Sequence, residues 1–145
     1  MTQQSQLLSI VAYHQSHFDS VRMLWNEAFP NDPPWNAAEL AIPAKLKTQP
    51  DLSLVATVRG SVVGSIMAGY DGHRGWLYAV AVLQSHQRQR IGTALVREAE
   101  TRLSAMGCTK INLQVRSSNI AVVRFYQSLG YDIEERVSMG KRIQQ

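Results

Sequence analysis

The chain of 145 residues holds a single cysteine, Cys108. One thiol cannot close an internal disulfide, so the core alone must hold the fold, and a reducing compartment is expected. Cys108 follows Gly107 and reads as a small buried hydrophobe rather than a nucleophile. No apolar run reaches the roughly 20 residues of a membrane span. The opening MTQQSQLLSIVAYHQ has neither the basic flank nor the apolar length of a secretion signal, so a cytoplasmic protein without a membrane partner is expected. His14, His17 and His86 have no ligand spacing with acids or thiols, so no metal site is expected. A Lys-Ser/Thr pair and the G-x-G-x-x-G spacing are both missing, which argues against a P-loop or a dinucleotide fold. Repeats, low-complexity tracts and linkers are absent too, which suits one domain over residues 1–145.

The residues present make an ordinary globular balance, 45% hydrophobic and 18% charged, with 15 Lys and Arg against 11 Asp and Glu. Arg outnumbers Lys, a bias that suits phosphate groups, although a net charge of +4 is equally well a solvated surface. The basic residues are dispersed, with no reader helix or stacking platform, so nucleic acid is not an expected partner.

Periodicity divides the chain into alternating elements. Residues 7–13 read as a first strand. Phe18, Val21, Leu24, Trp25 and Phe29 recur at helical spacing, with Ser16 as a candidate cap. NDPPWN at 31–36 is a turn, and a second helix over 37–48 should be kinked or split by Pro43. Strands follow at 52–58 and 62–70 around an Arg59-Gly60-Ser61 turn, and DGHRG at 71–75 turns into a central strand at 76–82. Ile91, Leu95, Ala99, Leu103 and Met106 form one stripe of a long helix ended by Gly107. A strand at 110–115, a helix at 119–129 and closing strands at 131–135 and 136–143 complete a mixed α/β sheet of six to seven strands with helices on both faces.

The stretch VAVLQSHQRQRIGTAL, residues 80–95, carries the chemistry. An apolar strand passes through a polar loop into the start of an amphipathic helix. Such a start presents main-chain N–H groups without acceptors at the positive end of the helix dipole, which is an anion site. Arg88 and Arg90 add positive charge beside it, so a phosphate-bearing ligand is expected.

With QRQRIG at 87–92, Asn119 and FYQSLGY at 125–131, this order of elements resembles the GNAT superfamily of acetyl-CoA-dependent N-acetyltransferases, over essentially the whole chain. A finer likeness, carried by AGYDGHRG at 68–75, PWN at 34–36 and SMGKRI at 138–143, is to its bacterial YpeA-type branch. The resemblance implies that the loop Gln87, Arg88, Gln89, Arg90, Ile91 and Gly92, followed by Thr93, holds the acetyl-CoA diphosphate. It implies that the main chain of Val80, Ala81 and Val82 pairs with the pantetheine arm, one amide polarising the thioester carbonyl. Arg90 stands where the family motif has glycine. If that position needs a positive φ, Arg is strained there; if it is the first helical residue, Arg fits and can reach a phosphate. The second reading is preferred, because Gly92 and the rest of the loop are intact.

The resemblance makes Tyr126 the acid that protonates the leaving thiolate and Asn119 a pantetheine contact. Spacing alone also allows Tyr126 to be a core aromatic. A related branch has a glutamate base where this chain has Gln114, whose amide cannot accept the proton. Asp71 and His73, in the turn before the central strand, and Glu27, near the end of the first helix, are the candidate replacements, although DGHRG is equally well a tight hairpin. Trp25, Trp35, Asn36 and Tyr70 are candidates for the acceptor pocket. The expected function is acetyl transfer to a primary amine of a small molecule or a protein, without a metal, and family habit implies a homodimer. The alternative is a catalytically weakened module that binds acyl-CoA, with Arg90 and Gln114 as traces of decay.

Overall fold

A computed structural model describes residues 7–143. The opening of the stretch read against a secretion signal lies outside the described residues. The chain forms two compact units, one ending at Leu113 and the other beginning at Gln114.

The first unit runs β1 (Leu8–Ala12), α1 (Phe18–Ala28), α2 (Ala38–Leu46), β2 (Ser53–Val58), β3 (Ser61–Tyr70), β4 (Gly75–Val82), α3 (Ile91–Ala105) and β5 (Ile111–Asn112). The strands lie side by side in that order. β1 to β4 are an antiparallel meander, and β5 joins β4 in parallel. A parallel step needs a long crossover, and α3 supplies it.

Alternation along β3 assigns the layers. A Cβ on Gly64 would lie 3.0 Å from Leu95 Cδ1 of α3, so only glycine lets that helix approach so closely. The next residue, Ser65, faces the other way and bonds Trp25 of α1. Helices therefore cover both faces of this sheet. Ile91, Leu95, Val96, Ala99 and Leu103 of α3 are buried against it, each large side chain contributing about 1.5–3 kcal/mol. Val21, Leu24 and Trp25 of α1 close the opposite core with Ala38 and Ile42 of α2.

Most boundaries fall within a residue or two of the periodicity, and four features differ. His14, not Ser16, caps the turn before α1: its Nδ1 accepts the Ser16 N–H. Pro43 lies inside α2 without splitting it. Pro43 and Glu39, whose carbonyl loses its N–H partner there, are both exposed, so water can serve the carbonyl. The strand expected at 110–115 is only Ile111–Asn112. The closing strands at 131–135 and 136–143 are not formed, so the described residues hold five strands rather than six or seven. Ile133, Val137, Met139 and Ile143 there are exposed, and alternating hydrophobicity makes no strand without an edge to pair with.

The second unit contains α4 (Ile120–Ser128). Tyr126 is buried and meets Phe125 and Tyr131 edge-on, with ring centroids 5.0 and 5.7 Å apart. The Tyr131 N–H returns to the Tyr126 carbonyl, and Gly130 at φ +97° turns the chain out of the helix.

Candidate active site on strand β4

β4 changes its hydrogen-bonding edge partway along. Gly75 N–H donates to Lys110 on the β5 side, whereas Leu83 N–H donates to Val63 of β3. These two residues are an even number apart, so a regular strand would aim both at one edge. The reversal comes from a bulge: Ala79 and Val80 together oppose Ile66, and Ala79 sits at φ +51°. Beyond the bulge, alternation turns the N–H groups of Val80 and Val82 away from β3 and returns that of Ala81 to it. Of the three residues expected to offer their main chain, Ala81 is thereby withdrawn.

Pairing of β4 with β5 ends at Trp76 and Asn112. The β4 edge over residues 77–82 has no strand partner among the described residues. On it, the Val82 carbonyl accepts Gln87 Nε2 at 3.3 Å.

The edge leads into the loop before α3. No side chain caps α3, and its first turn carries no acid. The first helical bond is Ala94 N–H to Arg90 O at 3.0 Å, so the N–H groups of Ile91, Gly92 and Thr93 have no acceptor within the helix. Arg90 is the cap residue, at φ +64° and ψ +20°, and Arg88 is also at φ +64°. The reading of Arg90 as the first helical residue is therefore corrected: Ile91 takes that place, and Arg90 holds the left-handed conformation that suits glycine. The strain costs about 1–2 kcal/mol. A left-handed residue followed by a helical one converges successive N–H groups into an anion-binding concavity. Gln87, Arg88, Gln89 and Arg90 are exposed, and neither Arg88 nor Arg90 pairs with an acid among the described residues. Cations at the positive pole of a helix are repelled by it, so stability does not explain their presence there.

Asp71 and His73 are placed differently from the expectation. Asp71 Oδ1 accepts the N–H groups of His73 at 2.8 Å and Arg74 at 2.7 Å. Those bonds, Arg74's foremost, hold the carboxyl below its ordinary range. This is a closed hairpin at the Gly75 end of β4. At about 3.3 Å per residue, Val80 lies roughly 16 Å further along the strand. Their main chain therefore does not border the bulge, although the Asp71 charge reaches the Tyr78 phenol, which burial first and that charge second push up. Tyr70 belongs to the same far end, its hydroxyl 3.3 Å from Gly72 O and its main chain held by both side-chain atoms of Gln49. Trp25 is core, 7% exposed, with its indole N–H on Ser65. Trp35 and Asn36 are exposed in the turn before α2, where Asn36 reaches Asp32.

Glu27, by contrast, reaches the other end of β4. Its Oε2 accepts Gln84 N–H at 2.9 Å, two residues past Val82, and its Oε1 has no partner among the described residues. Tyr78 escaped the sequence reading. It shares the α1 face with Met67, directly before the bulge, and is 51% exposed. An aromatic alternating with the buried Leu77 was its signal.

In the second unit, Asn119 caps α4, its Oδ1 accepting Val122 N–H. It is the cap residue and lies just outside the helix that carries Tyr126. Burial pushes the Tyr126 phenol up to about 12. Gln114 Nε2 donates to Ser138 Oγ. The described residues include no cluster fit to hold a metal and no helix long and apolar enough to cross a membrane.

An open strand edge running into an uncapped helix start has the donors to suit an extended ligand that ends in an anion. Residues 18–131 match the Acetyltransferase (GNAT) family, and the chain belongs to it. An acetyltransferase of Yersinia enterocolitica is 40% identical over 136 residues, covering 94% of this chain and 96% of that protein. Among solved structures, Ard1 from Thermoplasma volcanium shares the fold with a TM-score of 0.79, at 24% identity, over 88% of this chain and 84% of that one. Aminoglycoside N-acetyltransferase AAC(6')-Iy, solved in complex with CoA, has a TM-score of 0.76 at 21% identity, over 93% and 94%.

Proposed function

We propose that this acetyltransferase is acetyl-CoA-dependent and acetylates a primary amine of a small molecule or a protein. The observation that carries the reading is the set of acceptor-free N–H groups on Ile91, Gly92 and Thr93 at the end of the open β4 edge. A diphosphate suits those donors, and a slender amide-bearing arm suits the edge. The solved relative holding CoA supports the same choice. When bound, acetyl-CoA supplies the acetyl group as an activated thioester.

The residues have separable tasks in this proposal. Arg88 and Arg90 neutralise phosphate charge, with Gln87, Gln89 and the α3 amides orienting it. Val80 and Val82 N–H groups hold the arm and polarise the carbonyl. Asn119, with its oxygen engaged in capping, has its amide N–H groups for the arm. Glu27 accepts the proton of the amine through Oε1. Tyr126 protonates the leaving sulfur, and its raised pKa keeps the phenol protonated through the neutral range. Trp35, Asn36 and Tyr78 contact the acceptor.

The family match crosses both units, which supports one catalytic domain over residues 1–145. Membership in the YpeA-type branch, a cytoplasmic location and a homodimer belong to the same proposal. No nucleic acid or membrane enters it. The test is release of free thiol from acetyl-CoA across a panel of primary amines. Sustained release is expected, and Tyr126→Phe should lower kcat about a hundredfold or more. Tight CoA binding without turnover on any amine would instead identify a binding module, the reading that Gln114 and the strained Arg90 favour.

A further inference from the structure

Ala79 is held in a conformation its side chain disfavours, in the middle of a strand. Something must hold it there. Ser65 Oγ lies 2.9 Å from the Ala79 carbonyl, and Trp25 Nε1 lies 2.9 Å from Ser65 Oγ. Ser65 is 3% exposed and Trp25 is buried with it. The direction of both bonds is fixed by chemistry. An indole N–H can only donate, so it occupies an oxygen lone pair of Ser65 and leaves the serine hydrogen for Ala79. Ser65 points to the α1 face, so the bulge carbonyl is drawn out of the sheet ladder and satisfied there.

We propose that Ser65, itself held by Trp25, is a positioning residue for acyl transfer: it locks the β4 bulge that aims the Val80 and Val82 N–H groups at the open edge. This rests on the acetyl-CoA reading given above. Without the extra residue, strand alternation sends the N–H groups of Val80 and Val82 to β3 and brings that of Ala81 to the edge instead. The relay therefore selects which amides meet the thioester. It does so from the buried α1 face, without touching the substrate.

The test reads the thioester directly and needs no acceptor amine. Acetyl-CoA carrying ¹³C at the carbonyl is bound to the full chain, and its infrared carbonyl band is recorded beside the calorimetric affinity for CoA. In the wild type the band should move to lower wavenumber on binding. Ser65→Ala should lose most of that displacement while CoA affinity falls by no more than about tenfold, because the arm exchanges two edge amides for one and the diphosphate grip lies elsewhere. Trp25→Phe, which keeps an aromatic ring in the core, should act in the same direction, and Ser65→Thr should keep the displacement. Thermal melts identify which variants are folded, and Trp25→Phe carries the test if Ser65→Ala is not. Folded variants that keep the full displacement, or lose CoA affinity in step with it, overturn the proposal. A wild-type band that does not move when acetyl-CoA binds overturns it as well. A wild-type protein that binds no acetyl-CoA sinks the functional reading itself.

Discussion

The two ends of β4 carry equally suggestive residues, an Asp-His-Arg turn at one and a Gln-Arg loop at the other. Their hydrogen bonds separate them. At the Gly75 end, one oxygen of the Asp71 carboxylate, Oδ1, accepts two amides of its own turn and ties the side chain to the hairpin. At the Val82 end, strand amides turn outward, and among the described residues the first α3 amides have no acceptor and two arginines in left-handed conformations have no acid. A hairpin that satisfies itself has little left for a ligand, whereas uncompensated donors and strain indicate one.

The largest way to sharpen that contrast is Gly92→Asp. A carboxylate at a helix N-terminus is favourable to the helix, so the melting temperature should hold or rise. The same charge repels a diphosphate, so CoA should bind about a hundredfold more weakly, ~2.7 kcal/mol, by calorimetry. Unchanged affinity would remove the loop from the site.

Arg90→Gly comes next. Relief of the left-handed strain is worth about 1–2 kcal/mol, offset by about 0.4–1 kcal/mol of extra freedom in the unfolded chain. A net gain of between zero and about 1.6 kcal/mol is expected in denaturant unfolding. CoA affinity should fall several-fold, with a flatter dependence on salt. Equal or tighter binding would mean that the arginine is merely tolerated.

The hairpin end should respond to acid alone. Asp71 has a carboxyl pKa lowered from the ordinary 3.8 by its turn amides. Its contribution is therefore complete above that value and is lost as pH falls through the depressed one. Amide exchange at His73 and Arg74, corrected for intrinsic rates, should accelerate in that window and not above it. The smallest effect belongs to His73→Ala, whose turnover should stay within about twofold of wild type. A loss of one hundredfold would restore the turn as the proton acceptor and reverse the comparison.

Much of this fold was legible because its signals are local. The stripe from Ile91 to Leu103 and the following Gly107 set the limits of α3 by themselves. The anion site followed from the same stretch, since any helix start beside such a loop has the same spare donors. The conformation of Arg90 was not legible: an arginine usually marks a helical or extended position, and only the packed loop makes it left-handed. The bulge was hidden as well. Val80, Ala81 and Val82 read as a continuous apolar strand, and the residue that bends it, Ser65, lies on another strand. The closing strands failed for a related reason. Alternation at 131–143 is real, but a strand is a property of a pair. Glu27 and Asp71 could not be told apart by residue type, because only the register of β4 shows which end each one borders.

The open stretch of β4 has β3 along one side and follows directly on the two residues that pair with β5 on the other. Bare strand edges at the rim of a sheet recruit other sheets and lead to aggregation. Here the vacancy is short, bounded at one end by the β4–β5 seam and at the other by the turn into α3, so it offers a foreign sheet only a few residues to pair with. The protein can thus keep sticky backbone on permanent offer for a thin, extended ligand without becoming a template for its own precipitation.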